Sequence, residues 1–332
     1  MVRLLCFCLF VCLLAPIGVA GSAAPIDLRP TFTDGGERRF RVESESVITR
    51  AVPALDERIS QTTRLTYFLT RQISIDADGN PSAKLRFDRI RFKTQAPNLL
   101  GELEDVEYDT GLWNPETEQV QGRAILGRGE FIANQYATIL DPLIGKAITL
   151  ELSKLGSIES VRIPSEVGDA DLISVEMVRD RFLPLVQICP EREPVEIGST
   201  WKQTSEQDSG LGFDVVSVTS WTLEGASADR ATIEVRNDFS TGEVRRDTGI
   251  SLRESSGSGT AVWNTTEGVL ESLESRQAIR MAGSPPELRG GELELVVRSR
   301  VQIDRVEEAW TSEPRPEAPA KESTPAEEPA DA

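Results

Sequence analysis

The clearest pattern in the chain is the alternation of apolar and polar positions after residue 64. Apolar side chains stand at every second position, and Arg71 is the exception: Leu65, Tyr67, Leu69, Ile73 and Ile75. A period of two is typical of a strand with one face in a core and the other toward water. The sequence therefore predicts a half-buried strand over residues 64–75.

The next residues reverse the chain. Residues 76–81, Asp-Ala-Asp-Gly-Asn-Pro, combine turn-forming Asp, Asn and Gly with a proline that excludes ladder pairing. The returning strand changes parity between Phe87 and Ile90, which predicts a bulge. The acidic turn resembles a calcium loop, but its Gly comes too early and Phe87 stands where an EF-hand needs Glu. We therefore expect a hairpin turn rather than a metal site.

The remaining elements follow from the same periodicities. Other strands are indicated at residues 37–47, 147–152 and 158–163 and over most of 198–310. A looser segment is expected at 48–58, and a Gly- and Pro-rich excursion with two short strands at 95–129. Helical spacing of apolar residues predicts short helices over 130–143 and 170–185.

The two halves of the chain share a pattern. Four residues of the first hairpin have counterparts at one constant spacing: Ile75, Ala83, Leu85 and Phe87 match Leu223, Ala231, Ile233 and Val235. Residues 156–161 also resemble residues 268–273, as Gly-x-aliphatic-Glu-Ser-aliphatic. The spacing is shorter there, as expected if the first half carries an insertion at 95–143. This self-similarity predicts a tandem repeat, although hairpins of period two also resemble each other by chance.

We therefore predict a mainly β fold of two tandem, related antiparallel meanders with one or two short helices. Each meander is expected to be a curved sheet resembling a half-barrel. The first unit spans residues 25–165 with that insertion, and the second spans 195–311. A helix and linker at 166–194 connect them. Residues 312–332 are acidic and rich in Pro, Ala and Glu, a composition that predicts a disordered tail.

The first residues predict export. Arg3 precedes an apolar run over residues 4–19, and small residues follow, as in a secretory signal peptide over residues 1–23. Cleavage is expected near Ala20 or Ala23. The run is too short for a membrane span, which needs about 20 apolar residues. We expect a periplasmic or extracellular protein without a stable transmembrane anchor.

Composition excludes several functions. The net charge of -18 argues against nucleic acid as a partner, because nucleic-acid binding needs clustered Lys and Arg. The chain has no histidine, which excludes Ser-His-Asp, Cys-His and histidine-based zinc chemistry. Cys189 is the one cysteine beyond the leader, and it has no histidine to activate it. We expect it to be partly buried and inert.

No motif points to a catalytic residue. Ser199 and Lys202 match Ser-x-x-Lys, but on a predicted strand their side chains point to opposite faces. Paired carboxylates are the acid-base chemistry that composition leaves open, and acidic residues cluster at 102–109. Only 6% of residues are aromatic, so an aromatic-lined carbohydrate cleft is not indicated. We predict no catalytic, cofactor-binding or metal-binding residue, no cofactor, and a protein that is not an enzyme.

The strand Arg86 to Phe92 and the segment Val195-x-x-Gly198-x-x-Trp201 resemble motifs of exported bacterial families of unknown function. This resemblance covers roughly residues 35–305 and implies no activity. At the level of fold, meanders backed by a helix are similar to periplasmic lipoprotein carriers, whose half-barrels bind acyl chains.

Function is therefore expected to be binding in the envelope or periplasm. The partner is a hydrophobic small molecule or another envelope protein. The alternatives are a hydrolase that uses carboxylates alone and a purely structural envelope protein.

Overall fold

A single antiparallel sheet dominates the protein. The structure, a computed structural model, describes residues 24–53, 56–97, 103–111, 113–114, 119–120, 123–126, 138–165, 175–189, 193–208, 212–244, 248–285 and 291–310. Thirteen strands of these ranges form one sheet, and β5 and β6 form a separate pair. The mainly β, antiparallel prediction is confirmed.

The strands of the first half are β1 (Glu37–Val52), β2 (Glu57–Ile75), β3 (Pro81–Pro97), β4 (Leu103–Asp109), β5 (Trp113–Asn114), β6 (Gln119–Val120), β7 (Arg123–Leu126), β8 (Ala147–Leu152) and β9 (Ile158–Arg162). Those of the second half are β10 (Thr200–Asp208), β11 (Phe213–Ala226), β12 (Arg230–Val244), β13 (Ile250–Asn264), β14 (Val269–Gly283) and β15 (Leu293–Val306). One α-helix, α1 (Val175–Phe182), is followed by a 3-10 turn at Leu183–Leu185, and a second 3-10 turn lies at Asp141–Leu143.

The order of strands joins both halves of the chain in one sheet. Neighbours run β10-β11-β12-β13-β14-β15-β1-β2-β3-β4-β7, and β8 pairs with both β3 and β9. The junction between the halves is the β1–β15 ladder, which extends from Arg39 opposite Val306 to Ala51 opposite Glu294. The halves are therefore hydrogen-bonded to each other as firmly as the strands within either half.

The hairpin that the alternation predicted is formed by β2 and β3. At its turn the Asp76 carboxylate accepts hydrogen bonds from the backbone N–H groups of Asp78 (2.9 Å) and Asn80 (2.8 Å). Gly79 adopts a φ of +80°, which an L side chain rarely adopts. Leu69 pairs with Phe87 but Phe68 pairs with Arg89, so Asp88 is the predicted bulge.

The strand order of the two halves is the same once the insertion is set aside. The first half contains β1-β2-β3-β8-β9, and the second contains β10-β11-β12-β13-β14. Registers agree too, because the ladder row Phe40–Leu69–Phe87 corresponds to Trp201–Trp221–Val235, and all six residues are buried. The insertion contributes β4, which pairs with the distal part of β3 beyond the residues that pair with β8.

One face of the sheet, called here the inner face, carries the core. Because strand residues alternate in direction, Val42, Tyr67, Ile233 and Ile303 point to the same side, and each is buried. Both ends of the sheet contribute to the same core cluster, together with Val178 and other residues of α1 and its 3-10 turn. Helix α1 contacts β9 and β10, the two strands at opposite ends of the sheet. The sheet therefore curls around α1.

Arg71, the exception in the apolar pattern, lies on this inner face and is buried. Its Nη1 donates a hydrogen bond to the carbonyl of Leu185, and its guanidinium lies 5.5 Å from the centroid of the Phe40 ring. Burial, with a smaller contribution from Arg38 and Arg305, lowers the pKa of Arg71 to about 10. The side chain thus ties the end of the helical segment to β2 at the cost of a desolvated charge.

Residues 24–34, called here the strap, connect the turns of two equivalent hairpins. Ile26 pairs with Val195, and Leu28 is buried in the core. Gly156 of the β8–β9 turn lies against the Pro30 side chain, and Gly268 of the β13–β14 turn lies against Thr31. Thr31 N–H donates to the carbonyl of Gly268 over 3.3 Å. The strap therefore covers one end of the inner face, called here the base, and contacts both halves of the chain there.

One sequence prediction is wrong, and another is observed over part of its predicted range. The looser segment expected at 48–58 is wrong, because β1 continues to Val52 and β2 begins at Glu57, with Ile48 paired to Gln61. Pairing with β2 extends the strand through Ile48 and Val52 although polar Ser44, Ser46 and Arg50 share their face. The helix at 170–185 is observed from Val175 to Phe182 and ends in the predicted region.

Several predicted features fall beyond the described ranges. Of the helix at 130–143, the described part has three helical residues and the 3-10 turn at Asp141–Leu143. The signal peptide at 1–23 and the tail at 312–332 lie outside the described residues, and the unit boundaries stay a prediction. None of the described helices is both long enough and apolar enough to span a membrane.

The contact between strap and turn can be tested by glycine substitution. At Gly268, whose φ is +58°, a Cβ would lie 2.2 Å from the backbone N of Thr31. We expect Gly268→Ala to destabilise the fold by about 3 kcal/mol or more. Gly35→Ala is the matched control, because φ is +72° and no atom lies within 4 Å of its Cβ, so only the backbone strain of about 1–2 kcal/mol remains. Urea denaturation of both variants measures the difference, and equal losses would contradict the strap contact.

Candidate functional site

The inner face is organised in rows of directly paired residues that cross the sheet. Near the base, one row is entirely apolar and buried: Ile90, Tyr67, Val42, Ile303, Leu273, Ala261, Ile233 and Leu223. Helix α1 and the strap cover this base. This row belongs to the hydrophobic core of the protein.

A polar row begins four positions further along the strands, beyond a mixed row that includes Leu65, Ser44 and Val301. It crosses nine strands without one apolar side chain: Thr94, Thr63, Ser46, Ser299, Gln277, Gly257, Asn237, Thr219 and Gln203. Thr219 Oγ1 donates to Asn237 Oδ1 over 2.7 Å, and the hydroxyl groups of Thr63 and Thr94 are 3.3 Å apart. The polar row therefore ends the buried core.

Two glycines in β13 leave space for a hydrogen bond that Asn237 of the polar row makes across this strand. Asn237 on β12 donates to Ser275 Oγ on β14 over 3.2 Å, across the intervening strand β13. At Gly257 a Cβ would lie 2.7 Å from the Asn237 Cβ, and at Gly259 it would lie 2.2 Å from the carbonyl oxygen of Glu274. Both glycines leave the space through which the Asn237 amide reaches Ser275.

Beyond the polar row the inner face is mostly apolar again, and Arg50 interrupts its second row between Ile59 and Leu295. This region is called here the distal apolar zone, and its members, in two neighbouring rows, are Ile48, Val297, Ile279, Leu295, Met281 and Leu252. All except Met281 are only partly buried, and the neighbouring Ile59 is 48% exposed. Contiguous apolar side chains that remain accessible to solvent on a folded protein are typical of binding surfaces.

A cavity lies at the seam where the two ends of the curled sheet face each other. Its volume is about 270 Å³, and it is lined by Ser157, Ile158, Leu183, Pro184, Gln187, Ile188, Trp201, Lys202, Gln203 and Trp221. The residues come from β9, from the segment after α1 and from β10 and β11. Trp201 is fixed by a hydrogen bond from Nε1 to the carbonyl of Ile188 over 2.7 Å. This seam cavity and the distal apolar zone are the candidate sites.

The outer face has an open depression of about 500 Å³ above β1, β13, β14 and β15. Arg276, Arg298 and Arg300 line it, with Glu45. Glu274 pairs with Arg276 at 2.8 Å and with Arg300 at 3.2 Å, and Glu45 pairs with Arg64. Most of these charges are paired with an opposite charge. The depression therefore has the character of an ordinary solvent-exposed surface.

The described carboxylates do not form an acid-base pair with opposed environments. Asp109 is the most buried of them, at 2% exposure, and it accepts two hydrogen bonds of 2.7 Å from Arg89 and one of 2.6 Å from Arg91. Burial alone would raise the pKa of Asp109, but the hydrogen bonds from Arg89 and from the Gly111 N–H lower it below its usual value. Asp109 is thus held ionised in a structural ion pair.

The other residues weighed in the sequence have structural positions. Ser199 precedes β10 and its Oγ accepts a hydrogen bond from the Glu196 N–H over 3.2 Å, whereas Lys202 points to the other side of the strand from Trp201. Cys189 is buried. Among the described residues no group of three or more His, Cys, Asp or Glu is placed to hold a metal ion.

Sequence reasoning did not find either candidate site. Trp201 and Trp221 are buried, and both also line the seam cavity. The polar row is detectable along single strands as a polar residue that interrupts the inner-face alternation, such as Ser46 or Gln277. Its continuity depends on strand register, which a single strand does not reveal.

Comparisons with known proteins give weak similarities only. No protein-family model matches the chain, and no curated protein matches it. A solved structure of lipovitellin concerned with lipid–protein interactions has a TM-score of 0.47 and 14% identity; the match covers 86% of this chain and 26% of the lipovitellin chain. The chain therefore spans about a quarter of that protein's length.

Two bacterial structures are less similar still. A DUF1329 family protein from Desulfovibrio piger has a TM-score of 0.12 and 12% identity over 78% of this chain and 83% of its own. OccK11 from Pseudomonas aeruginosa has a TM-score of 0.14 and 7% identity over 85% of this chain and 100% of its own. Similarities at this level carry no argument for family or function, so the function must be inferred from the chain's own residues.

The buried ion pair makes a pH-dependent prediction. Arg89→Leu would leave the Asp109 carboxylate buried without its main partner, so we expect a loss of about 3–5 kcal/mol at neutral pH. Arg91→Leu is the control, since the Arg91 side chain is 49% exposed, and we expect a loss of about 1 kcal/mol or less.

The sign of the pH dependence follows from the lowered pKa of Asp109. The ion pair stabilises the fold above the unfolded-state value of about 3.9, and that contribution is lost as the pH falls through the lower folded-state value. The deficit of Arg89→Leu should therefore shrink when urea denaturation is repeated from pH 7 down to about pH 3. A deficit that is independent of pH would contradict the charged pair.

Proposed function

We propose that the protein binds a hydrophobic molecule on the distal apolar zone of its inner face. The observation that carries the proposal is the second apolar region beyond the polar row, which the core does not use. Val297 and Ile279 are direct cross-strand neighbours there, and they remain partly exposed although their strands continue in good register. An apolar surface that nothing in the described fold covers gains free energy from a ligand that covers it.

The energy available on such a face is sufficient for binding. Covering apolar surface contributes about 25 cal/mol per Å², so a ligand that covers about 200 Å² gains about 5 kcal/mol before the costs of association. The polar row limits how deep the ligand can lie, because its hydroxyl and amide groups would lose their hydration under an apolar chain. The ligand is therefore expected to lie along the distal rows rather than in the base.

Export is part of the proposal. The leader that the sequence predicts would place the protein in the periplasm or outside the cell. There a hydrophobic molecule needs a carrier to cross the aqueous space, or is detected by a sensor. A second envelope protein could cover the same zone, and the experiment below separates the two. A hydrolase that uses carboxylates alone has no support in the described residues, because the shifted carboxylate pKa values are all lowered.

A pair of neighbouring valines tests the proposal. Val297 belongs to the inner face and Val296 to the outer face of the same strand, and both are partly buried. The probe is a fluorescent long-chain fatty acid added to the purified protein. Val297→Asp should weaken its binding at least tenfold, because a carboxylate in the contact must be desolvated. Val296→Asp should bind like the wild type.

The outcomes separate the alternatives. Equal effects of the two substitutions would overturn the distal apolar zone as the site. Lipid extraction of protein purified from the envelope adds an independent measurement, in which wild-type and Val296→Asp should carry co-purifying long-chain acyl lipid and Val297→Asp should not. A lipid-free wild-type protein with a stoichiometric protein partner would refute a small hydrophobic ligand.

A further inference from the structure

The seam cavity differs in chemistry from the distal apolar zone. Most of its wall is apolar and rigid: Ile158, Leu183, Pro184, Ile188, Trp201 and Trp221. Both tryptophans are 6% exposed, and the Trp201 ring is held by its hydrogen bond to the Ile188 carbonyl. A preformed apolar wall with a few polar groups is the usual composition of a small-molecule site.

The polar groups of the seam cavity differ in whether they already have hydrogen-bond partners. The Gln187 amide already donates to the carbonyl of Leu155 over 3.0 Å and lies 3.4 Å from Ser157 Oγ. Lys202 is the single charged side chain that lines the cavity, and among the described residues no hydrogen bond or ion pair involves it. Lys202 is exposed on the edge strand β10 and points to the side of that strand opposite Trp201, so it borders the cavity from outside the apolar interior.

Charge distribution near the seam favours an anion in spite of the acidic chain. The net charge is -18, but no Asp or Glu lines the cavity. Charges further away than about 8 Å are largely screened at physiological ionic strength, so the nearest charge dominates. The polar residues that line the cavity are thus one cation, the Gln187 and Gln203 amides and the Ser157 hydroxyl.

We propose that the seam cavity binds a small monocarboxylate with an apolar tail, such as a medium-chain fatty acid. The carboxylate pairs with the Lys202 ammonium at the mouth, and the tail lies between the two tryptophans and the Leu183–Pro184 wall. A volume of about 270 Å³ equals that of about nine water molecules, at about 30 Å³ each, which fits a ligand of about nine non-hydrogen atoms. This site is separate from the distal apolar zone and does not depend on the function proposed for it.

The test uses octanoate as the probe, with octanol and octyltrimethylammonium as ligands of similar tail. Titration is followed by tryptophan fluorescence, since Trp201 and Trp221 line the site, and by calorimetry. Wild type should bind octanoate more tightly than octanol, and octyltrimethylammonium more weakly than either. Lys202→Gln should lower octanoate affinity about fivefold to tenfold and leave octanol unchanged, because only the charge interaction is removed.

Two controls make the result specific. Lys84 is an exposed lysine on β3, and Lys84→Gln should leave both affinities unchanged. Ile158→Trp, which fills the cavity wall, should abolish binding of octanoate and octanol alike. Lys202 is exposed, so its substitution is expected to fold, and circular dichroism with thermal melting confirms this for each variant.

Three results would contradict binding of a carboxylate in the seam cavity. Wild-type protein that does not bind octanoate, or binds octyltrimethylammonium as tightly, would overturn the proposal. Equal losses of octanoate and octanol affinity in Lys202→Gln would show that Lys202 acts on the shape of the cavity and not through its charge, which also contradicts it. Val297→Asp should leave octanoate binding unchanged, and thus the failure of one site is distinguishable from the failure of the other.

Discussion

The whole architecture depends on covering the base of a very wide inner face. A sheet with this many strands cannot bury one face unless something packs against it, and here α1, its 3-10 turn and the strap are the elements that do so. Val178, Phe182 and Leu185 are fully buried among inner-face residues of both halves. Because the same short segment meets both ends of the sheet, the sheet must curl, and the curl creates the seam between β9 and β10. The two candidate sites lie where that cover stops.

The common strand order of the two halves explains how one short segment can cover both ends. In each half the third strand of the order, β3 or β12, carries the small and aliphatic inner-face pair Ala83 and Leu85 or Ala231 and Ile233. The insertion changes the first half only at its distal edge, where β4 extends the sheet beside β3. The base is therefore conserved in geometry between the halves, while the distal parts differ and are free to acquire different uses.

Much of this fold could be predicted from the sequence, and the candidate sites could not. Alternation identified β2 and β3, the parity change identified the bulge at Asp88, and matched hairpins identified the repeat. The continuation of β1 through Ile48 and Val52 was missed because polar Ser46 and Arg50 share their face, so no apolar alternation marks the ladder with β2. Arg71 is recognisable in the sequence as an interruption of the apolar pattern. Its hydrogen bond to the Leu185 carbonyl could not be predicted, because Leu185 is remote from Arg71 in the chain. The polar row and the seam arise from register and curvature, neither of which is a property of any single stretch.

The strap has a consequence for the order of folding. Residues 24–34 are among the first of the chain, yet they complete their contacts only with Val195 and Gly268, which are far along it. Contacts between residues so distant in sequence slow folding, because the intervening chain must be closed into a loop before the contact forms. The sheet must therefore be nearly complete before its base is sealed. During synthesis of the chain, the apolar base stays open until the second half is made, which is the stage when protection by a chaperone matters most.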